Sequence, residues 1–209
     1  MRRPTPETNG PEAGSARVAG LVLAAGAATR FGSPKSLARL DGRPLLAHVL
    51  DAAAAAGLVP TVVVLGDAAD AVEPAIRWRA ELRVRNPDPG RGLASSLRIG
   101  LEALWALEPS VAGAVILLGD QPWVRPDVIA ALLACRASSD RPIVAPRYAD
   151  GGGPNPALVK RSAFALAADL EGDRGLGPLI ARRPELVTFV DVAGTNPDVD
   201  TPADLARLG

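Results

Sequence analysis

Cysteine and histidine are nearly absent: the 209 residues contain one of each, Cys135 and His48. A lone cysteine excludes an internal disulfide and any cysteine zinc cluster. Cys135 lies in an apolar helical stretch and reads as a buried filler. His48 has no second ligand or nucleophile beside it, so it reads as a helix-surface or packing residue. Aromatics are only 3% of the chain, so Ala, Val and Leu must build the core. Net charge is zero, with 23 basic and 23 acidic residues, which leaves no broad basic field to hold nucleic acid. No run approaches the roughly 18 apolar residues of a membrane span. The first residues lack the apolar core of a signal peptide, so the expected location is the cytoplasm.

What is present is a regular alternation. Residues 1–16 are rich in Pro, Gly, Thr, Glu and Arg and are expected to form a disordered leader. Residues 17–209 suit a single domain. Apolar runs at Val18–Leu23, Thr61–Gly66, Leu82–Arg85, Gly113–Leu118, Ile143–Pro146, Asn155–Val159 and Leu186–Val190 predict strands. Helical spacing predicts helices over Leu45–Ala56, from near Asp67, over Leu93–Leu107, from near Pro126, and over Ser162–Leu170. Pro44 is expected at the first helical position, after an Asp41-Gly42 turn. Near the C-terminus Thr201, Pro202 and Asp204 read as cap, first turn and dipole partner of a last helix. Strands apolar on both faces, alternating with helices, predict a three-layer α/β/α, Rossmann-like fold with a mostly parallel sheet and right-handed crossovers.

Ligands of such sheets bind at the carboxyl ends of strands, near the switch in strand order. Three features fall there. The first is the loop after Leu23, Ala24-Ala25-Gly26-Ala27-Ala28-Thr29-Arg30-Phe31-Gly32-Ser33-Pro34-Lys35, small-residued and then cationic, which suits a phosphate chain. Its spacing excludes a P-loop, and Ala28 replaces the second glycine of a dinucleotide fingerprint. The second is the Asn86–Ser96 loop. The third is Asp120, whose carboxylate should emerge from the top of the sheet. Asp120 suits a Mg²⁺ ligand beside a polyphosphate, or a plain turn-former. Asp198 and Asp200 can supply a further ligand, or simply cap the last helix.

These segments resemble one family. Leu23-Ala24-Ala25-Gly26 with Arg30, Gly32 and Lys35 resembles the L-A-A-G-x-x-x-R-x-G-x-x-K signature of nucleotidyltransferases of the nucleotide-diphospho-sugar transferase type. Gly119-Asp120-Gln121-Pro122, Asn86-Pro87 with Gly92-Leu93 and Ser95-Ser96-Leu97, and Asp198-Val199-Asp200-Thr201-Pro202 resemble the molybdenum cofactor cytidylyltransferase-like branch. The resemblance implies a nucleotide half over about 17–125 and an acceptor half over about 126–209. It implies that Leu23, Ala24, Ala25 and Gly26 touch the base and phosphates, and that Arg30 and Lys35 bind the triphosphate. Asn86, Gly92, Ser95 and Ser96 would form the base and ribose pocket, and Asp120 with Asp200 and Asp198 would hold Mg²⁺.

The implied reaction is transfer of a nucleoside monophosphate, CMP from CTP, to the phosphate of molybdopterin, with a molybdoenzyme or its chaperone as a possible partner. An already ionised phosphate nucleophile needs no histidine base. The acceptor half departs from the pattern. Asn155 stands in the place of a histidine, and Gly172-Asp173-Arg174-Gly175-Leu176-Gly177 lacks a terminal Ala-Arg. Another small phosphorylated acceptor therefore stays open, as does an NAD(P)H-dependent pigment reductase on the same fold.

Overall fold

Alternate residues of the first strand feed two separate cores. In the computed structural model, which describes residues 17–26, 34–168 and 170–208, strand β1 is Val18–Ala24. Leu21 and Leu23 point into one core and Val18 and Val22 into the other, as the twofold period of a strand requires.

The remaining elements follow as β2 (Arg39–Leu40), β3 (Arg43–Pro44), α1 (Leu45–Ala55), β4 (Thr61–Leu65), α2 (Ala69–Ala75), β5 (Leu82–Arg85) and α3 (Leu93–Leu107). After these come β6 (Gly113–Leu118), α4 (Pro126–Ser138), β7 (Ile143–Tyr148), β8 (Ala157–Lys160), α5 (Phe164–Ala168), α6 (Gly177–Arg182), β9 (Val187–Val192) and α7 (Pro202–Leu208). On one face of the sheet, Leu97, Leu101 and Leu104 of α3 pack with Phe164 of α5 and Ile180 of α6. On the other, Leu46, Val49 and Leu50 of α1 pack with Val72 of α2 and Ile129 and Leu132 of α4. These are the three expected layers.

The seven-stranded sheet runs β5-β4-β1-β6-β8-β7-β9. The chain builds outward from β1 through β4 to β5, then returns to lay β6 on the other side of β1. The switch in strand order therefore falls between β1 and β6, which pair in parallel from Val18↔Gly113 to Leu23↔Leu118. The sheet is mostly parallel, but β8 runs antiparallel to both β6 and β7. Residues Asp41-Gly42 join β2 and β3 into a two-stranded ribbon, and Asp-Gly is the strongest short-range signal for such a turn.

Several expectations need correction. Pro44 does not open the helix: with ψ of 141° it is extended, ends β3, and precedes the first residue of α1. The stretch expected as a helix over Ser162–Leu170 begins as a 3₁₀ turn at Arg161–Ala163, and its α-helix is only α5. Cys135 is partly rather than fully buried, against the core beneath α4. His48 packs as expected, its Nε2 lying 3.1 Å from the Leu40 carbonyl oxygen. The leader at residues 1–16 lies outside the described residues. Among the described residues no helix is long and apolar enough to cross a membrane.

Candidate active site

The carboxyl ends of β1 and β6 come close because position 119 is glycine. A Cβ at Gly119 would lie 2.9 Å from the Ala24 Cβ, inside any tolerable contact. With hydrogen there, Gly119 N donates to Leu23 O at 2.9 Å and the ladder continues to the lip of the sheet. Asp120 follows at once. Across from it, Lys35 opens a 3₁₀ turn over Lys35–Leu37.

Lys35 Nζ donates to Asp120 Oδ2 at 2.6 Å and to Asp200 Oδ1 at 2.6 Å. One ammonium thus bridges two carboxylates that are 80 residues apart in sequence. Burial works against the Lys35 charge, yet Asp120, followed by Asp200, outweighs it and holds the ammonium above its ordinary range. Lys35 is therefore charged throughout the neutral range.

Asp120 and Asp200, drawn together by the Lys35 ammonium, are hard oxygen donors of the kind that a Mg²⁺-like divalent ion takes. Such an ion takes one or two carboxylates and completes its shell with water and substrate phosphates. Among the described residues no group of three or more His, Cys, Asp or Glu side chains could hold a metal alone. The donor set fits an ion shared with a substrate and does not fit an all-protein cage.

The segment 196–200 folds back over the strand ends. Val199 is fully buried and its N donates to the Asp120 carbonyl at 3.1 Å. Asp200 leaves toward Lys35, while Asp198 Oδ1 accepts from Gln121 Nε2 at 2.7 Å. Gln121 Oε1 in turn accepts from Asn196 Nδ2 at 3.0 Å, and the same Nδ2 reaches the Asn155 carbonyl at 3.2 Å. Tyr148 Oη donates to that carbonyl too, at 3.1 Å. Burial, with the nearby Asp120 charge adding to it, raises the Asp198 carboxyl above its ordinary range. Beyond Asp200, Thr201 and Asp204 bond reciprocally: Thr201 N donates to Asp204 Oδ2 at 2.8 Å and Asp204 N to Thr201 Oγ1 at 3.2 Å. That is the expected cap of the last helix, in capping-box form.

The other wall comes from the Asn86–Ser96 loop. Asn86 is only 3% exposed and binds both serines through Nδ2, Ser95 Oγ at 2.8 Å and Ser96 Oγ at 2.9 Å. Its Oδ1 accepts from Asp88 N at 2.9 Å. Asn86 therefore stands behind the loop and fixes it. A cleft of about 420 Å³ results, lined by Leu23, Ala25, Gly26, Gly92, Ser96 and Asp120 among others. Ser95 faces a neighbouring cleft with Arg91 and Arg98. Ala24 lines a smaller hollow beside Gly66 together with Ala25 and Gly26. Asn155 enters through its backbone carbonyl, and Arg30 lies outside the described residues.

Three participants escaped sequence reasoning. Gln121 was visible inside the Gly-Asp-Gln-Pro motif but had no role there. Tyr148 and Asn196 carry no motif at all. A fourth, Asp173, was placed with the acceptor half, yet it lines the cleft beside Gly92.

The chain belongs to the MobA-like NTP transferase domain family, whose match covers residues 20–187. Its fold is that of nucleotidyltransferases of the nucleotide-diphospho-sugar transferase type. Among solved structures it is similar to Rv0371c from Mycobacterium tuberculosis H37Rv, at 36% identity and a TM-score of 0.83, over 92% of this chain and 97% of that one. Rv0371c has also been solved as a complex with manganese, similar at 34% identity and a TM-score of 0.79, over 92% and 97%. Among curated proteins it is similar to the bifunctional protein GlmU of Sphingopyxis alaskensis, 38% identical over 129 residues, which is 61% of this chain and 28% of that one. The chain spans about a quarter to a third of the length of the curated relatives it matches.

Proposed function

We propose that this chain is a divalent-metal-dependent nucleotidyltransferase that moves CMP from CTP to the phosphate of molybdopterin. The observation that carries the reading is the Lys35 ammonium bridging Asp120 and Asp200 at the lip of the cleft. A site built this way offers a fixed cation and a paired-carboxylate metal seat at the switch in strand order, where an anionic ligand is expected.

An oxygen of the acceptor phosphate attacks the α-phosphorus, the bond from that phosphorus to the bridging oxygen breaks, and pyrophosphate leaves with the electron pair. Lys35 neutralises charge on the triphosphate as it builds up on the leaving group. Arg30 is assigned the same work. Asp120 and Asp200 would hold Mg²⁺, which supplies charge neutralisation and a template for the phosphate oxygens. Asp198, occupied by Gln121, sets the course of the segment that delivers Asp200. The backbone at Leu23, Ala24, Ala25 and Gly26 approaches base and phosphates, and Ser95 and Ser96, held by Asn86, shape the ribose and base end. That Rv0371c forms a complex with manganese supports a divalent ion for this chain. Molybdopterin as acceptor implies a molybdoenzyme or its chaperone as the downstream partner.

A second reading keeps the chemistry and changes the acceptor to a sugar phosphate. The match to GlmU and the departures at Asn155 and Leu176-Gly177 favour it. The test is a thermal-shift titration with CTP, GTP, ATP, UTP and NADPH, each with and without Mg²⁺ or Mn²⁺. A ligand at 100 times its Kd stabilises the native state by about 2.7 kcal/mol. Metal-dependent stabilisation by CTP, abolished in Asp120→Ala, is the expected result, and pyrophosphate release with molybdopterin or a sugar phosphate then separates the two acceptors. Metal-independent stabilisation by NADPH alone overturns the reading.

A further inference from the structure

The cleft has two carboxylates with opposite circumstances. Asp120 is neutralised by Lys35. Asp173 sits in the 3₁₀ turn Gly172–Arg174, and among the described residues it has neither an ion pair nor a hydrogen bond. The turn is pressed onto Gly92. At Gly92, where φ is +91°, a Cβ would lie 2.5 Å from Asp173 Oδ1 and 2.5 Å from the Gly172 carbonyl carbon. Glycine at position 92 thus does two things: it permits the left-handed backbone that starts α3, and it leaves room for the Asp173 carboxylate. Asp173 is exposed and shares the lining of the cleft with Pro89, Gly90, Gly92, Leu93 and Ser96, while Arg91 of the same loop lines the neighbouring cleft.

We infer that Asp173 reads the nucleobase, accepting a hydrogen bond from an exocyclic amino group and so favouring amino-bearing bases over their oxo counterparts. The inference rests on the nucleotidyltransferase reading. A free carboxylate repels a triphosphate, so the part of the ligand it meets must lie at the end away from Lys35. An ionised carboxylate only accepts hydrogen bonds. Cytosine presents an amino donor at C4, where the thymine–uracil ring presents a carbonyl acceptor. Against the carbonyl, Asp173 would face lone pair to lone pair and gain no hydrogen bond from the base.

The experiment is equilibrium binding of CTP, UTP and 2′-deoxyCTP to the full chain, its Asp173→Asn variant and its Asp173→Ala variant, with Mg²⁺ present. ATP against ITP gives the same contrast for a purine. The wild type is expected to favour the amino member of a pair by about tenfold, as suits one hydrogen bond to a charged group. Asparagine can donate as well as accept, so Asp173→Asn should bring the ratio close to one by gaining UTP. Alanine should bring it close to one by losing CTP relative to UTP. Removing a negative charge strengthens all triphosphates alike, and the ratio cancels that effect. Triphosphate binding with an unchanged amino-to-oxo ratio overturns this inference alone. So does a change confined to the CTP-to-2′-deoxyCTP ratio, which would put Asp173 on the ribose. Failure to bind any triphosphate overturns the nucleotidyltransferase reading, and this inference with it.

Discussion

The two sides of the strand-end lip are held together by different chemistry. On the β1 side a single charge bridges two carboxylates, and Asp120 and Asp200 keep part of their side chains exposed, 29% and 59%. On the β7–β8 side the contacts are amides and a phenol: Gln121, Asn196, the Asn155 carbonyl and Tyr148. The same five residues, 196–200, supply both. Charge next to solvent contributes little to stability but is available to a ligand. A buried amide relay contributes to stability and specifies one geometry. The molecule therefore keeps the Lys35, Asp120 and Asp200 charges at the rim and ties their segment down through amides further in, one of which holds the Asp198 carboxylate.

That division can be broken by substitution. The largest effect is expected at the charges: Lys35→Ala should lower turnover about 10²–10³-fold with a smaller effect on the urea midpoint than the next variant, measured by pyrophosphate release beside denaturation. Next, Gln121→Leu leaves Asp198 without its donor and Asn196 with the Asn155 carbonyl as its remaining acceptor, and should cost about 2–4 kcal/mol of unfolding free energy. If Gln121→Leu instead abolished turnover at full stability, the division between charged rim and neutral support would be wrong.

Tyr148 sharpens the neutral side. Burial, opposed by Arg125, pushes its hydroxyl from an ordinary 10.0 up to about 12. The folded state prefers the neutral phenol, so this contribution is complete below pH 10 and is lost as pH rises through 12. The loss is about 2–3 kcal/mol, at 1.36 kcal/mol per unit. Tyr148 is the chain's one tyrosine, so phenolate absorbance reads it alone, and Tyr148→Phe should remove this share of the pH dependence and leave that of Lys35. The smallest effect is expected far from the lip. Asp51 pairs with Arg43 and Arg79, all three more than a third exposed, and Asp51→Asn should cost under about 1 kcal/mol by thermal melting.

Much of the fold was legible because its strands are uniformly apolar while its helices are striped. Direction was not. Ala157–Lys160 has the same buried pattern as its parallel neighbours, and nothing in a doubly buried strand's composition records which way it runs. The proline at position 44 misled for a related reason: its fixed φ suits an extended residue as well as a first helical turn. In the site, Lys35 and Asp120 stood out because charged residues after apolar strands have few structural uses, whereas Asp200 rested on the resemblance of the Asp198-Val199-Asp200-Thr201-Pro202 segment. Asn196 and Tyr148 did not, since their roles depend on a backbone carbonyl 41 and 7 residues away. Asp173 was read with the Gly172–Gly177 segment as part of the acceptor half, and its packing on Gly92 had no signal in the sequence.

One consequence of the returning segment concerns synthesis rather than chemistry. Lys35 and Asp200 are separated by 165 residues, so the ion bridge is among the longest-range contacts in the fold. Chains are made from the N-terminus, and distant contacts form late because loop closure must precede them. A nascent chain that has already paired β1, β4, β5 and β6 still has Lys35 with only one of its two carboxylates, Asp120. Completion of the bridge therefore waits on the segment 196–200, which the chain reaches only after β9.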